Sequence, residues 1–407
     1  MRYPLFALAP LLTLLAAACG DDGEAPEDTP TPSPAAEAPT RTPPRTATAS
    51  PTPKPVETLA FLRDGEVWLI NADGSGERRL TTLGNLQSFS WLSSTELYLV
   101  ICEERLRHAV VELSGSVREL SFPRAGPAVD VGPYDFIVEG SWSPDGIRYV
   151  TPIDEELIVF DRDGAETARL PVRIPLKEQA EKSECAVNVP HRLVLGPPVF
   201  APHGRDILVA VYCDVGLQAT NQPATLYRVS LEGGIADPLG LSTNLQAIGS
   251  PRFSPDGLQL AETRFDRFGV CHGETTLFVA DGGGGNARQL TLPEIEELHR
   301  RSPVPQFRAE VGYDWSPESD AVVATFNVFV CDPTVEQIVS GLYIFNFDGS
   351  AEKLPGGPAT SPAWSPSGQF IAYVVPGDTP SILLFDLTTR QTTELTQGTG
   401  PAWQPQP

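Results

Sequence analysis

The sequence predicts an all-β fold: a β-propeller of seven blades, each a four-stranded antiparallel sheet. Three observations predict it. An aromatic anchor returns seven times, at Trp91, Trp142, Phe200, Phe253, Trp315, Trp364 and Trp403; a Ser-Pro-Asp-Gly turn or a variant follows most of these anchors; and an apolar run follows the turn. Equal units at such spacing mark a repeat fold.

Each element follows from its residues. The best turns read Trp142-Ser143-Pro144-Asp145-Gly146 and Phe253-Ser254-Pro255-Asp256-Gly257. Phe200-Ala201-Pro202-His203-Gly204, Trp315-Ser316-Pro317-Glu318 and Trp364-Ser365-Pro366-Ser367-Gly368 are variants. Proline presets φ at its position, Asp tolerates the next, and Gly takes the left-handed conformation that returns the chain. The runs that follow, such as residues 207–212 and 370–374, are too short for a globular helix and rich in β-branched and aromatic residues. They read as strands buried on both faces.

A third column of strands starts at Val67, Val110, Leu157, Leu226, Leu277, Leu342 and Ile382. Asp73-Gly74, Asp163-Gly164, Gly233-Gly234 and Asp348-Gly349 then read as hairpin dipeptides with positive φ. A fourth strand ends on Leu80, Leu120, Leu170, Leu239, Leu290, Leu354 or Leu395. The ends check the count. Residues 59–62 form a second-type strand with no first strand before it, and Trp403-Gln404-Pro405 is a first strand with nothing after it. Joining them completes the seventh blade and removes two open edges. Residues 57–407 give about 50 residues per unit, against roughly 40 to 45 for a compact four-stranded blade. The excess is loops.

The Trp-Ser-Pro-Asp-Gly turn, the apolar strand, the Asp-Gly turn and the closing Leu-Thr resemble the WD-repeat-like units of TolB-type propellers, from about residue 57 to the end. That resemblance implies the fold more than an activity, because such propellers include partner-binding periplasmic proteins, gating domains of prolyl-oligopeptidase-type peptidases, and some lyases. It also implies six blades as the alternative to seven. The extra α/β domain of TolB itself has no room in this chain.

The amino terminus carries an address. Arg2, an apolar stretch from Pro4 to Ala18 and then Cys19 have the layout of a secretory signal, too short to span a membrane stably. Ala16, Ala17 and Ala18 before Cys19-Gly20 look like a bacterial lipobox, with Leu15 one place early. Residues 1–19 are therefore expected to be a lipoprotein signal peptide with Cys19 lipidated, the alternatives being plain signal cleavage or an uncleaved anchor. Residues 20–56 are Pro, Thr, Ala, Ser and acidic, which cannot bury a core and predicts a disordered linker reaching on the order of 100 Å. The propeller is expected over 57–407, exported and tethered outside the cytoplasm.

A formal charge of −23 argues against nucleic acid and against direct docking on anionic lipid, which need basic patches. The membrane is then touched only through the anchor, and no cofactor is expected.

Five cysteines remain. Cys102, Cys213, Cys271 and Cys331 follow second strands, and Cys185 lies in the insertion between blades 3 and 4. Positions on neighbouring blades favour Cys185 with Cys213 and Cys271 with Cys331, leaving Cys102 free. The insertions at 175–192 and 292–308 crowd the same face, where residues 293–301 suit a short helix with Pro and acids first and bases last. Arg300, Arg301 and Arg308 bring positive charge there, while His108, His191, His272 and His299 are placed on that face and His203 on a tight turn opposite. Together Arg300, Arg301, Arg308, His191, His272 and His299 make the candidate binding rim, with the tight-turn face expected to be structural only.

Motifs for chemistry are weak. Histidines 191, 272 and 299 lack metal-ligand spacing. Asp161-Arg162-Asp163-Gly164 opens like a calcium loop but has Val172 where the twelfth-position Glu belongs. Glycines 282–285 lack the Lys-Ser/Thr of a phosphate loop, and no Gly-x-Ser-x-Gly elbow occurs. The expected function is a monomeric, non-catalytic propeller that recognises a protein, peptide or glycan. A lyase or hydrolase at the channel mouth is the alternative.

Changing Cys19→Ser is expected to abolish metabolic labelling with a fatty acid and maturation at that site. Lipid labelling that persists in the variant would refute the lipobox.

Overall fold

The alternation of side chains along a strand decides this architecture. In the computed structural model, Leu97, Leu99 and Ile101 turn to the core shared by blades 1 and 2, while Tyr98 and Val100 of the same strand turn to the core shared by blades 2 and 3. Ile207, Val209 and Val211 likewise face blade 3, and Leu208 and Ala210 face blade 5. Both faces are buried, which is why these strands read as unbroken apolar runs. Seven apolar clusters occur among the described residues, one at each seam between successive blades including that between 7 and 1.

The described residues are 56–102, 106–120, 122, 140–153, 156–172, 192–196, 198–214, 225–232, 236–239, 246–247, 251–265, 273–301, 307–330 and 339–406. Residues 1–55, which include Cys19 and nearly all of the expected linker, lie outside them. Seven blades are present, not six. Blade 1 joins Thr58–Arg63, Glu66–Asn71 and Arg78–Arg79 to the carboxy-terminal strand Thr399–Trp403. Blade 2 runs from Leu86–Ser93 through Glu96–Cys102 and Leu106–Glu112 to Val117–Leu120. Blade 3 spans Ser141–Trp142 to Glu166–Pro171, and blade 7 spans Thr360–Trp364 to Gln391–Gln397.

Blades 4 and 5 have inner strands in two pieces. Arg192–Leu195 and Val199–Phe200 both pair with Asp206–Asp214; Gln246–Ala247 and Arg252–Phe253 both pair with Gln259–Phe265. Blade 6 begins with the long strand Phe307–Trp315, whose first residues pair in parallel with blade 5 through Gly273↔Arg308 and Glu274↔Ala309. Blades 5 and 6 thereby form one nine-stranded sheet. Arg308, expected in an insertion, belongs to this ladder opposite Phe329.

The ring closes as its ends require: Leu59 pairs with Trp403 and Ala60 with Ala402, antiparallel. The fourth-strand leucines are the plugs that the sequence marks. Leu80, Leu120, Leu170, Leu239, Leu290 and Leu354 are all buried.

In the Ser-Pro-Asp-Gly turns the serine is the keystone. Ser254 is fully buried; its Oγ donates to Asp256 at 2.6 Å and accepts the Gln259 amide at 2.9 Å. Ser316 Oγ accepts from Ala321 N at 3.0 Å and Ser365 Oγ from Phe370 N at 3.0 Å. Glycine is required at Gly146, with φ of +66°, where a Cβ would lie 2.7 Å from the Leu92 carbonyl. The second set of turns differs from expectation. Asn71 O accepts Gly74 N at 2.9 Å while Asn71 N donates to Ser75 O at 2.9 Å, and Asp161 and Asn346 open identical turns. These are three-residue loops, a turn followed by one left-handed glycine, because Asp73 keeps negative φ. Its carboxylate is free to accept Ser75 N at 2.9 Å.

The anchor indoles do more than pack. Trp91 Nε1 donates to Ala402 O at 3.1 Å, Trp403 Nε1 to Ala363 O at 3.0 Å and Trp315 Nε1 to Arg252 O at 3.0 Å. Each acceptor is the residue just before the preceding blade's own anchor. Trp364 Nε1 turns to Gly368 O of its own turn at 3.4 Å. Trp142 Nε1 is buried with no acceptor among the described residues. Trp→Phe at 91, 315 or 403 is therefore expected to cost about 1 kcal/mol more than Trp142→Phe in urea unfolding. Equal costs at all four would show that the indole bonds contribute nothing.

Candidate functional site

Antiparallel blades divide their connections between two faces. Turns between first and second and between third and fourth strands share one face; second-to-third loops and blade-to-blade crossovers share the other. On the crossover face, Pro293–Arg301 forms the short helix that its sequence predicts, here α1. Ile295 and the preceding Leu292 anchor it in the core between blades 5 and 6. Glu294 and Glu296 occupy its first turn, exposed, where the helix dipole favours acids. Arg300, also exposed, is ion-paired with Glu297 one turn earlier.

The other predicted rim residues are only partly visible. His191, His272, Cys185, Cys271 and Cys331 lie outside the described residues, as does most of the insertion at 175–192. Cys213 stands opposite Leu193 in the blade 4 ladder, and His299, Arg301 and Arg308 have described backbone only. Cys102 ends its strand, exposed, with no disulfide partner among the described residues.

His108 lies in the third strand of blade 2, opposite Val100 and Leu120. Its ring stacks on Tyr98 with centroids 5.8 Å apart, and Nδ1 sits 2.5 Å from Tyr98 Oη. Tyr98 Oη is 3.2 Å from Tyr149 Oη, which accepts Gly140 N at 3.0 Å. Phe122 stacks on Tyr149 at 4.4 Å and Trp142 packs on it at 5.2 Å. This aromatic seam between blades 2 and 3 explains why Trp142 does not latch to the blade before it. Burial lowers the His108 pKa below its ordinary value of 6.5.

Two polar groups escaped the sequence reading. Glu66, nearly buried at 6 % exposure, accepts from Thr81 Oγ1 at 2.5 Å, Leu83 N at 3.0 Å and Gly84 N at 2.8 Å. It holds the crossover from blade 1 to blade 2. The signal was a lone carboxylate opening an otherwise apolar strand after Asp64-Gly65. Near the channel, Asp314 Oδ1 lies 3.5 Å from Arg252 Nη1, and its Oδ2 accepts Trp364 N at 2.8 Å, linking blades 5, 6 and 7. Burial pushes the Asp314 carboxyl up, against the pull of Arg252. Asp161 accepts Asp163 N and Ala165 N at 2.9 Å, a turn cap and not the start of a cation loop. No group of three or more His, Cys, Asp or Glu side chains that could hold a metal occurs among the described residues. No helix among them is long and apolar enough to cross a membrane.

No protein-family model and no curated protein matches this sequence. Solved structures do resemble it. Oligogalacturonate lyase from Vibrio parahaemolyticus is 10 % identical, covering 84 % of this chain and 85 % of that one with a TM-score of 0.53. TolB from Acinetobacter baumannii is 15 % identical, covering 86 % and 82 %, with a TM-score of 0.43. Likeness at these identities speaks for the fold alone.

The neutral state of His108 carries a pH dependence. Its unfolded form takes a proton below about pH 6.5 while the folded form resists, so stability falls as pH drops through that value. Among the described residues the rings in contact with it are Tyr98, Tyr149 and Phe122, and no described acidic or basic side chain pairs with it. His108→Gln, which keeps an acceptor for Tyr98, is expected to flatten the melting temperature between pH 6.5 and 5. An identical slope in wild type and variant would assign the acid sensitivity elsewhere.

Proposed function

We propose that this protein is a binding propeller, held outside the cytoplasm by a lipid on Cys19 and the Pro/Thr-rich linker, that recognises a protein, peptide or glycan on its crossover face. One observation carries the reading: the two faces are built differently. Turns on one face spend their polar groups on themselves, as Ser254, Asp256 and Asp73 do. The crossover between blades 5 and 6 instead presents exposed Glu294, Glu296 and Arg300 on a helix whose apolar side is fixed in the core. A rigidly mounted polar helix is a recognition element that costs little ordering on binding. With a net charge of −23, a partner with basic groups is favoured by the long-range field, while Arg300 and Arg301 would fix its acidic or amide groups locally. Disulfides Cys185–Cys213 and Cys271–Cys331 belong to the same proposal, bracing the long loops.

Capture from the organism's own envelope fraction tests it. Arg300→Ala with Arg301→Ala should reduce the yield of captured partner about tenfold while leaving the melting temperature within a degree or two, since both lie in the last turn of α1. Wild-type capture by the double variant would remove α1 from the binding surface.

A further inference from the structure

The repeat provides its own control for the opposite face, and its departures converge on one place. The third position of the first turn is acidic in Asp145, Asp256 and Glu318, and in blade 7 Ser367 receives the Glu57 carboxylate, at 2.8 Å from both its N and Oγ. Blade 4 alone of these has histidine, His203. In the second turns the residue before the left-handed glycine is Asp73, Asp163 or Asp348 in blades 1, 3 and 6 and Ser114 in blade 2, but Gly283 in blade 5. The turn carboxylate is thus replaced at both of these neighbouring positions, with Asp206 beside His203 and Asp281 at the rim.

A cavity of about 330 Å³ opens between those two turns, lined by Ala201, His203, Arg228, Phe253, Leu258, Asp281 and three glycines. Arg228 is half-buried and gives one hydrogen bond, Nη2 to Gly282 O at 2.7 Å; no carboxylate is ion-paired with it among the described residues. His203 Nδ1 accepts Arg205 N at 3.1 Å, the task performed by Asp145 and Asp256 in their turns, and its Nε2 faces the Asp206 carboxylate, 3.6 Å from Oδ2. Leu258 is 70 % exposed, the most exposed large hydrophobic residue described, and Phe253 forms the wall beside it. Asp281 is held by Asn286 Nδ2 at 2.7 Å.

We propose that this cavity binds a carboxylate carried on a compact apolar body. The carboxylate meets the guanidinium of Arg228, which no carboxylate of the described residues pairs, and the apolar part covers Leu258 and Phe253. Arg228 supplies the planar fork that carboxylates favour. Asp281 at the rim rejects a second negative charge, so monocarboxylates are selected over dicarboxylates. The apolar carboxy-terminal residue of a peptide and a free branched-chain acid share this chemistry. The site is independent of the crossover-face reading.

Calorimetric titration of the full chain with acetyl-Ala-Ala-Leu, its carboxamide and 4-methylpentanoate tests the inference. The acid peptide should bind at least tenfold more tightly than the amide, the loss of one charge-assisted pair. A peptide stronger than 4-methylpentanoate identifies a chain terminus as ligand; equal affinity identifies the free acid. Leu258→Ser, at an exposed position that leaves folding intact, and Arg228→Gln should each weaken binding about tenfold, with Arg228→Lys intermediate. Equal affinity for acid and amide, no heat with either acid at about 10 mM, or unchanged binding by Leu258→Ser would overturn the proposal.

Discussion

A blade whose two faces are both apolar has no stable existence apart from its neighbours, and everything else in this molecule depends on meeting that constraint all the way round. Each second strand shows the demand in its residues, alternate side chains serving cores that belong to different seams. Seven seams must therefore close together. The amino-terminal and carboxy-terminal strands meet in one blade because a ring left open there would expose Leu59, Phe61 and the Ala372–Val374 face that packs against them.

Polar groups hold the seams in register where apolar packing would allow sliding. Indole bonds from Trp91, Trp315 and Trp403 reach the preceding blade at the inner strand. Arginines do the same at the turns: Arg78 donates to Leu113 O, Arg118 to Arg162 O, Arg148 to Gly204 O and Arg228 to Gly282 O, across four consecutive seams. A directional guanidinium suits carbonyl acceptors at a half-dry surface better than a strongly hydrated ammonium. The composition fits, with lysine only at 54, 177, 182 and 353 among 29 basic residues. At the seam between blades 2 and 3, aromatic stacking around Tyr149 takes the place of the indole bond.

Fold was readable because its cause is periodic. Trp142-Ser143-Pro144-Asp145-Gly146 announces a turn by local chemistry, and the double burial of a strand by its unbroken apolarity. What could not be read is set by contacts distant in sequence. Glu57 completing the turn at Ser367, Asp314 reaching Trp364, and Arg308 joining a parallel bridge to Gly273 each depend on which strands become neighbours. The strand of His108 shows the same limit: it begins at Leu106, four residues before the Val110 that marks it in the sequence, because Arg107 and His108 pair with Ile101 and Val100. The helix at 293–301 was legible from its proline, acids and bases. The rim residues beyond it are fixed by no periodic signal.

Closure is the central claim, and removing residues 401–407 tests it most directly. The deletion takes away Trp403, its bond to Ala363 O and the partner of Leu59. The account predicts a sharply lower melting temperature and aggregation through the exposed edge of Thr58–Arg63. A truncated chain that melts like wild type and stays monomeric would contradict it.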